Sequence, residues 1–393
     1  MKDAYILSAC RTPIGKYLGA LSSSSAVQLG TIVVKEALQR SGLDVGQVDE
    51  VIMGNVLSAG LGQNPARQTA LRAGLPVKVS ALTINKVCGS GLKAVGLAAQ
   101  GVRLGDTQVV IAGGMESMSN APYLLFKART GYRMGNGEII DSMIHDGLLD
   151  AYEQYHMGCT AEIVCRQYRV SRGSQDHYAS QSHKRAVAAM REGRFEAETV
   201  PVEVAQRRGQ PARVTKDEGP REDTSPEMLA RLKPAFEEAG SVTAGNSSQL
   251  SDGAAAVTVV SDEVLKTSGK EAMARITAFV TRGVEPAMVL MAPLEAIQAV
   301  REKAGWRDDD VDLYEVNEAF AAQMVALCTE VPLDVSRLNV NGGGIALGHP
   351  IGASGARVLT TLLYALKQRN GKKGIASLCL GGGNAVAMAV EMA

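Results

Sequence analysis

Two cysteines, one histidine and one asparagine lie in settings where side chains do chemistry. Cys88 stands in Ile84-Asn85-Lys86-Val87-Cys88-Gly89-Ser90-Gly91-Leu92-Lys93-Ala94-Val95, after an alternating run over residues 80–86 and before apolar residues at helical spacing over 92–103. The pattern predicts a buried strand turning into a helix N-terminus. Unpaired N–H groups and the positive end of the helix dipole there favour a thiolate, and the glycines admit a second backbone or a substrate. Cys379 sits at a predicted strand end, in Leu378-Cys379-Leu380-Gly381-Gly382-Gly383. His349 lies in the glycine-rich Gly342-Gly343-Gly344-Ile345-Ala346-Leu347-Gly348-His349-Pro350-Ile351-Gly352, and Asn317 at the strand-to-helix junction Val316-Asn317-Glu318-Ala319-Phe320.

Each residue alone has an ordinary reading: a small buried thiol, a satisfied structural histidine, a helix cap. Gly-rich turns before helices also suggest nucleotide phosphates, but neither G-x-G-x-x-G nor G-x-x-x-x-G-K-[ST] is present. Together the four describe acyl transfer. A histidine takes the thiol proton and the thiolate attacks a carbonyl. A Cys–His peptidase needs an orienting Asn or Asp rather than a second thiol. Carbon–carbon bond formation does need a second base, one that removes a proton beside a carbonyl and later returns it.

The elements that carry these residues repeat. In the first half, strands are predicted over residues 3–9, 48–57, 80–86 and 108–112. Between them lie a helix capped by Ser25 and closed by Gly42, one opened by Asn64-Pro65, and the helix after Cys88. The second half runs through strands at 274–284, 311–315, 338–340 and 375–380 and helices at 293–303, 318–329 and 354–368. Strands separated by single helices imply a mostly parallel sheet covered on both faces. Ser354-Gly355-Ala356-Arg357-Val358 echoes Ser90-Gly91-Leu92-Lys93-Ala94-Val95, and residues 377–382 echo 109–114. The strand that follows Cys379 across its glycines, at 384–390, has its first-half counterpart at 253–260, so residues 115–252 form an insertion into a hairpin. An insertion at the carboxyl ends of strands is placed to cover a site there.

At 393 residues the chain is long enough for two or three domains. With 46% apolar and 21% charged residues it has the composition of a soluble globular protein. Lys+Arg and Asp+Glu are both 41, which leaves no global field toward nucleic acid or an anionic membrane. No apolar run has the length of a membrane span, and the first residues lack a signal or transit pattern, so the expectation is a cytoplasmic protein. The six cysteines are scattered with no C-x-x-C pair, and the five histidines have no HExxH spacing, so neither a disulfide framework nor a metal site is expected.

The four motifs together resemble those of the thiolases, most closely the biosynthetic-type acetyl-CoA acetyltransferases, and the resemblance runs from Lys2 to the C-terminus. It implies an α/β thiolase fold: duplicated αβαβα halves with an inserted loop domain. The halves are expected at 1–118 plus 247–271 and at 272–393, and the insertion at 119–246, assembled as a homotetramer. It implies condensation of two acetyl-CoA to acetoacetyl-CoA and CoA, and the reverse thiolysis, with CoA thioesters as substrates and no cofactor. Cys88 would form the acyl-thioester after activation by His349, and Cys379 would be the general acid/base. The N–H groups of Cys88 and Gly381 would form one oxyanion hole, and His349 with a water held by Asn317 the other. Arg221 is expected at the CoA nucleotide, within a basic stretch with Arg207, Arg208, Arg213 and Lys216 set against Asp217 and Glu218. Ala244 and Ser248 are expected at the pantetheine, His156 and Met157 at its substrate end, and Leu148, Ala319 and Phe320 in the same pocket. His156 as a general base is the rival assignment.

The family's usual Asn-Ala-Ser-Gly-Leu-Asn-Asp reads Asn246-Ser247-Ser248-Gln249-Leu250-Ser251-Asp252 here, and its glycine tail continues Asn384-Ala385 instead of Met-Gly. Both segments border the acyl or pantetheine pocket, so they bear on substrate preference. A degradative 3-ketoacyl-CoA thiolase would use the same groups with a roomier pocket. A ketoacyl synthase would carry a histidine in place of Asn317 and no equivalent of Cys379. A non-catalytic acyl-CoA or lipid-binding relative would lack one of the reactive residues. If both sulfurs reach one substrate carbon, they are also near enough to oxidise to a disulfide.

Overall fold

The computed structural model describes residues 2–206, 209–331 and 333–393; Arg207 and Arg208 of the basic stretch lie outside them. The first half runs β1 (Ala4–Arg11), β2 (Gly15–Lys16), α1 (Ala26–Ser41), β3 (Glu50–Gly54), α2 (Pro65–Arg72), β4 (Ser80–Ile84), α3 (Ser90–Leu104) and β5 (Val109–Ser117). The insertion carries β6 (Tyr123–Leu124), β7 (Ile140–Asp141), α4 (Ser142–Gly147), α5 (Met157–Gln167), α6 (Arg172–Arg191), β8 (Val202–Val204), β9 (Ala212–Val214) and α7 (Pro226–Leu229). The chain returns through β10 (Ser251–Ser261) and α8 (Asp262–Ser268). The second half is β11 (Ala274–Gly283), α9 (Ala292–Ala304), β12 (Leu313–Val316), α10 (Ala321–Glu330), α11 (Gly344–Leu347), α12 (Ser354–Arg369), β13 (Lys373–Leu380) and β14 (Asn384–Met392).

Helix boundaries follow local chemistry. Ser25 and Gln28 form a reciprocal capping box on α1, and Gly42 ends it in the left-handed conformation. Asn64 caps α2 through Arg67 N–H, with Pro65 at the first position. Every residue of β5 and β10 is buried, which is why both read as continuous apolar runs.

Nine strands lie in the order β12-β13-β14-β11-β1-β10-β5-β3-β4, and β2 adds to β10, making a 10-stranded sheet. The order mirrors itself about the β1–β11 seam, where Tyr5 faces Arg275 and Ile6 faces Ala274. A mostly parallel sheet was the expectation, and the sheet is instead mixed. Among the strand pairs of the described residues only β3–β4, β3–β5 and β12–β13 are parallel. The hairpin returns β10 and β14 run antiparallel to both of their neighbours. The strand expected at 338–340 is reduced to one parallel bridge, Tyr314 to Leu338. The insertion leaves at the end of β5 and returns at the start of β10, where Ser117 faces Asp252.

One apolar cluster joins α3 and α12 to the inner faces of both halves; separate clusters lie under α1 with α2 and under α9 with α10. The helices therefore alternate with sheet layers in αβαβα order. The equivalent helices α3 and α12 touch at equivalent glycines. A methyl on Gly91 would strike the Ala356 backbone, and one on Gly355 would strike that of Leu92. The echoed Ser-Gly pairs are thus the price of bringing two helix N-termini, and the loops before them, against each other.

Candidate active site

Cys88 is held on a strained, clamped loop. Val87, immediately before it, has φ +46°, a conformation that costs a β-branched residue on the order of 1–3 kcal/mol. Side chains on both sides of Val87 hold it there. Asn85 Oδ1 accepts the Val87 N–H at 2.9 Å, and Ser90 Oγ accepts the Lys86 N–H at 2.8 Å while donating to Val87 O at 2.6 Å. The thiol is consequently presented to the cavity rather than buried in sheet packing.

Cys379, near the end of β13, faces Ala385 across the hairpin. The glycine turn after it carries Gly381 to the cavity that Cys88 lines, where its N–H favours charge on the Cys88 sulfur. One half of the molecule thus supplies this thiol and the other supplies a donor beside it.

His349 is positioned by backbone and by one hydroxyl. Its N–H meets Gln249 O at 3.0 Å and Ser251 Oγ at 3.2 Å. Its Nδ1 lies 2.6 Å from Ser354 Oγ, which has Pro350 O at 2.9 Å. With the hydroxyl donating to that carbonyl, Ser354 accepts from Nδ1–H, which leaves the Nε2 lone pair to take a proton. Asn317 follows β12, tied by its N–H to Ser377 O at 3.0 Å. It does not cap α10, whose N-cap is Phe320. Its Nδ2 is 3.4 Å from both ring nitrogens of His349, committed to neither, and its buried Oδ1 has no partner among the described residues. An open acceptor beside an uncommitted amide donor suits a water.

The electrostatics correct one expectation. Burial pushes the Cys88 thiol up to about 12, against the opposing N–H groups of Gly381 and Cys88 and helped by Glu116. The helix end therefore does not hold a resting thiolate, because desolvation of the charge outweighs the dipoles. Burial, aided by the Arg357 cation, lowers His349 to about 3. Burial and the neighbouring Cys88 thiol push Cys379 well up. The resting site is neutral: two thiols and an imidazole, with both cysteines free.

These groups share a cavity of about 410 Å³. Cys88, His349, Cys379 and Gly381 line it, and so do Leu148, His156, Met157, Ala244, Ser248, Ala319 and Phe320. Among the described residues no Asp, Glu, Lys or Arg lines it. His156 caps α5 through Gly158 N–H at 3.0 Å and stacks on Phe236 at 4.8 Å, and burial lowers its pKa. With Nδ1 so engaged it serves as a wall, which disfavours the general-base assignment.

The described residues of the basic stretch, Arg213, Lys216 and Arg221, do not line this cavity. Arg221 lies on an exposed turn whose N–H donates to His183 Nδ1 at 3.1 Å, and Arg213 lies 3.6 Å from Glu203. Asp217 and Glu218 do not counterbalance it as solvated charges. Asp217 is buried in a two-pronged pair with Arg11 at 2.6 and 2.9 Å, and Glu218 accepts the N–H groups of Lys16 and Ala20. Sequence reasoning did not find Met118, Met143, Phe236 and Ile351 in the wall, because an isolated Met or aromatic carries no spacing signal. Ser354 was visible only as the start of a repeated helix.

The thiolase N-terminal domain family matches residues 4–263, and the thiolase C-terminal domain family matches residues 270–392. The chain is 53% identical over 388 residues to an acetyl-CoA acetyltransferase of Pseudomonas aeruginosa, covering 99% of each chain. It is 51% identical over 391 residues to one of Cupriavidus necator, covering all of both. The crystal structure of the Bacillus anthracis acetyl-CoA acetyltransferase superposes with a TM-score of 0.98 at 44% identity, over 100% of this chain and 99% of that one. A duplicated fold that brings a clamped cysteine, a neutral histidine and a second cysteine to one uncharged cavity, with these matches over its whole length, assigns the chain to the thiolase family.

Proposed function

We propose that the protein is an acetyl-CoA C-acetyltransferase, condensing two acetyl-CoA to acetoacetyl-CoA and CoA and catalysing the reverse thiolysis. The observation that carries this reading is the pairing of Cys88, backed by His349 and two N–H donors, with a second thiol in the same uncharged cavity. His349 Nε2 takes the Cys88 proton as the sulfur attacks the first thioester. CoA departs with a proton from Cys379, leaving an acetyl-Cys88, an imidazolium and a Cys379 thiolate. That thiolate takes a methyl proton from the second acetyl-CoA. The enolate carbon bonds to the acetyl carbon, the Cys88–carbon bond breaks, and Cys88 regains its proton from His349. Atoms and charges return to the starting state, so the reading calls for no cofactor. The Cys88 and Gly381 N–H groups stabilise the oxyanion on the acyl-enzyme, and His349 with an Asn317-bound water stabilises the enolate. Pre-aimed donors of this kind contribute about 3–4 kcal/mol each.

The short acyl preference is supported by the packing of Cys88 against a small cluster containing Val56, Leu57, Met118, Met143 and Ile351. Pantetheine would run along Leu148, Met157, Ala244, Ser248 and Phe320, with Arg221 toward the nucleotide. The reading includes a cytoplasmic homotetramer. Supporting this are free reactive thiols, which need a reducing compartment, and exposed Leu125, Phe126, Met134 and Ile139 in one surface segment. No helix among the described residues is long and apolar enough to cross a membrane.

The test is thiolysis of acetoacetyl-CoA against 3-ketohexanoyl-CoA and longer esters, with Cys88→Ala and Cys379→Ala alongside, and light scattering for the assembly. Strong preference for the four-carbon substrate, lost in both variants, is expected. Comparable rates on long chains would move the protein to the degradative class.

A further inference from the structure

The wall beside Cys88 is assembled from separate parts of the chain. Val56 and Leu57 follow β3, Met118 and Met143 follow β5, and Ile351 follows His349 in the second half. Cys88 packs against this cluster, and Met118, Met143 and Ile351 line the cavity. The position of the wall therefore depends on what joins the loop after β3 to the loop of His349.

Glu116, near the end of β5, is that junction. It is fully buried and does not itself line the cavity. Four N–H groups converge on its carboxylate. Oε1 accepts from Asn55 Nδ2 at 2.8 Å and from the Leu57 N–H at 3.3 Å. Oε2 accepts from the Val56 N–H and the Gly352 N–H, each at 3.0 Å. One oxygen thus bridges the two halves directly at the wall. The fit is close, since a methyl on Gly352 would strike Glu116 Oε2 and the Asn55 backbone. Asn55 is itself fixed, its Nδ2 also donating to Met115 O at 3.1 Å. Both oxygens are needed as acceptors. An amide in this place offers one oxygen and turns its NH2 toward two of the donors.

We propose that Glu116 is a positioning residue that sets the acyl-length limit, its carboxylate holding Val56 and Leu57 against Ile351 beside Cys88. This rests on reading the cavity at Cys88 as the acyl pocket of the activity proposed above. The charge of Glu116 also bears on the Cys88 thiol, so the test must separate reach from charge.

Two variants do so. Glu116→Asp keeps the charge but withdraws it by one methylene; Glu116→Gln keeps the reach but removes the charge and one acceptor. The first readout is the ratio of kcat/KM for 3-ketohexanoyl-CoA to that for acetoacetyl-CoA. Both variants should raise it about tenfold, the low end of what one methylene decides in an apolar pocket. The ratio is read rather than the rate, because a looser His349 loop slows every substrate. The second readout needs no turnover: alkylation of Cys88 by N-butyliodoacetamide relative to iodoacetamide, followed by peptide mass in a Cys379→Ala background. A change in the reactivity of Cys88 cancels in that ratio, and a retreating wall raises it in both variants. Either ratio staying at its wild-type value in both variants would overturn the proposal, and a lower Tm with it would mark a residue that only holds the fold. A shift in Glu116→Gln without one in Glu116→Asp would assign the effect to charge and overturn it as well. Glu116→Asp decides alone if Glu116→Gln does not fold. If the wild type shows no preference for acetoacetyl-CoA, the short-acyl reading falls, and the alkylation ratio alone decides the role of Glu116.

Discussion

At the scale of single residues, the proposed mechanism requires neutral groups held ready to exchange protons. Ser354 is the clearest case, since its 2.6 Å contact with His349 Nδ1 selects which ring nitrogen is left to act. Ser354→Ala should lower kcat by about tenfold to a hundredfold, within the range attributed to positioned acid–base groups, with KM nearly unchanged because the residue does not line the cavity. Steady-state thiolysis of acetoacetyl-CoA measures this, and a rise in KM at constant kcat would show that Ser354 shapes binding instead. The acyl wall gives a second expectation: Met143→Ala opens space beside Cys88 and should raise activity on 3-ketohexanoyl-CoA relative to acetoacetyl-CoA. An unchanged ratio of kcat/KM values would place the limit elsewhere. The convergence of Cys88, His349 and Cys379 on one cavity, with Asn317 beside His349, was legible in the sequence because reactive residue types beside glycines are rare and came in a repeated setting. The charge state of Cys88 was not, since burial of the thiol and the charge of Glu116 beside it arise only when the fold brings distant segments near.

At the scale of elements, the halves were legible from periodicity and caps. Ser25, Gly42 and Asn64-Pro65 bound α1 and α2 as their chemistry requires. The mixed character of the sheet was less so, because a buried strand reads alike whether its neighbour is parallel or antiparallel. The meeting of α3 with α12 is tertiary, and only the echoed glycines hinted at it. That contact is testable. In Gly355→Ala the added methyl meets the Leu92 backbone, which has no rotamer to yield. The variant should lose about 1–3 kcal/mol of stability, as overpacked cores do, seen as a lower denaturant midpoint. Activity should fall too, since α3 and α12 begin just after the loops of Cys88 and His349. A wild-type midpoint would mean that the helices part without cost.

At the scale of the whole molecule, two segments of the insertion are held together partly through a buried imidazole. His183 on α6 is 5% exposed, and its Nδ1 accepts the Arg221 N–H. Burial, with Arg221 and Lys16 nearby, lowers its pKa to about 4 from the usual 6.5, against a smaller opposing pull from Asp223. Above pH 6.5 the side chain is neutral both folded and unfolded, so it adds no pH dependence. Between 6.5 and 4 the unfolded chain takes up a proton that the folded chain refuses, and stability falls as pH falls. At pH 5 this amounts to about 2 kcal/mol from His183 alone. The substitution His183→Asn keeps an acceptor for the Arg221 N–H, and the amide cannot be protonated. Urea unfolding at pH 7.5 and pH 5 should therefore show a smaller acid loss in His183→Asn than in the wild type, by about that amount, whatever their difference at pH 7.5. Equal losses in the two proteins would show that His183 takes up its proton without loosening the insertion, and that acid sensitivity arises at other buried groups such as His349.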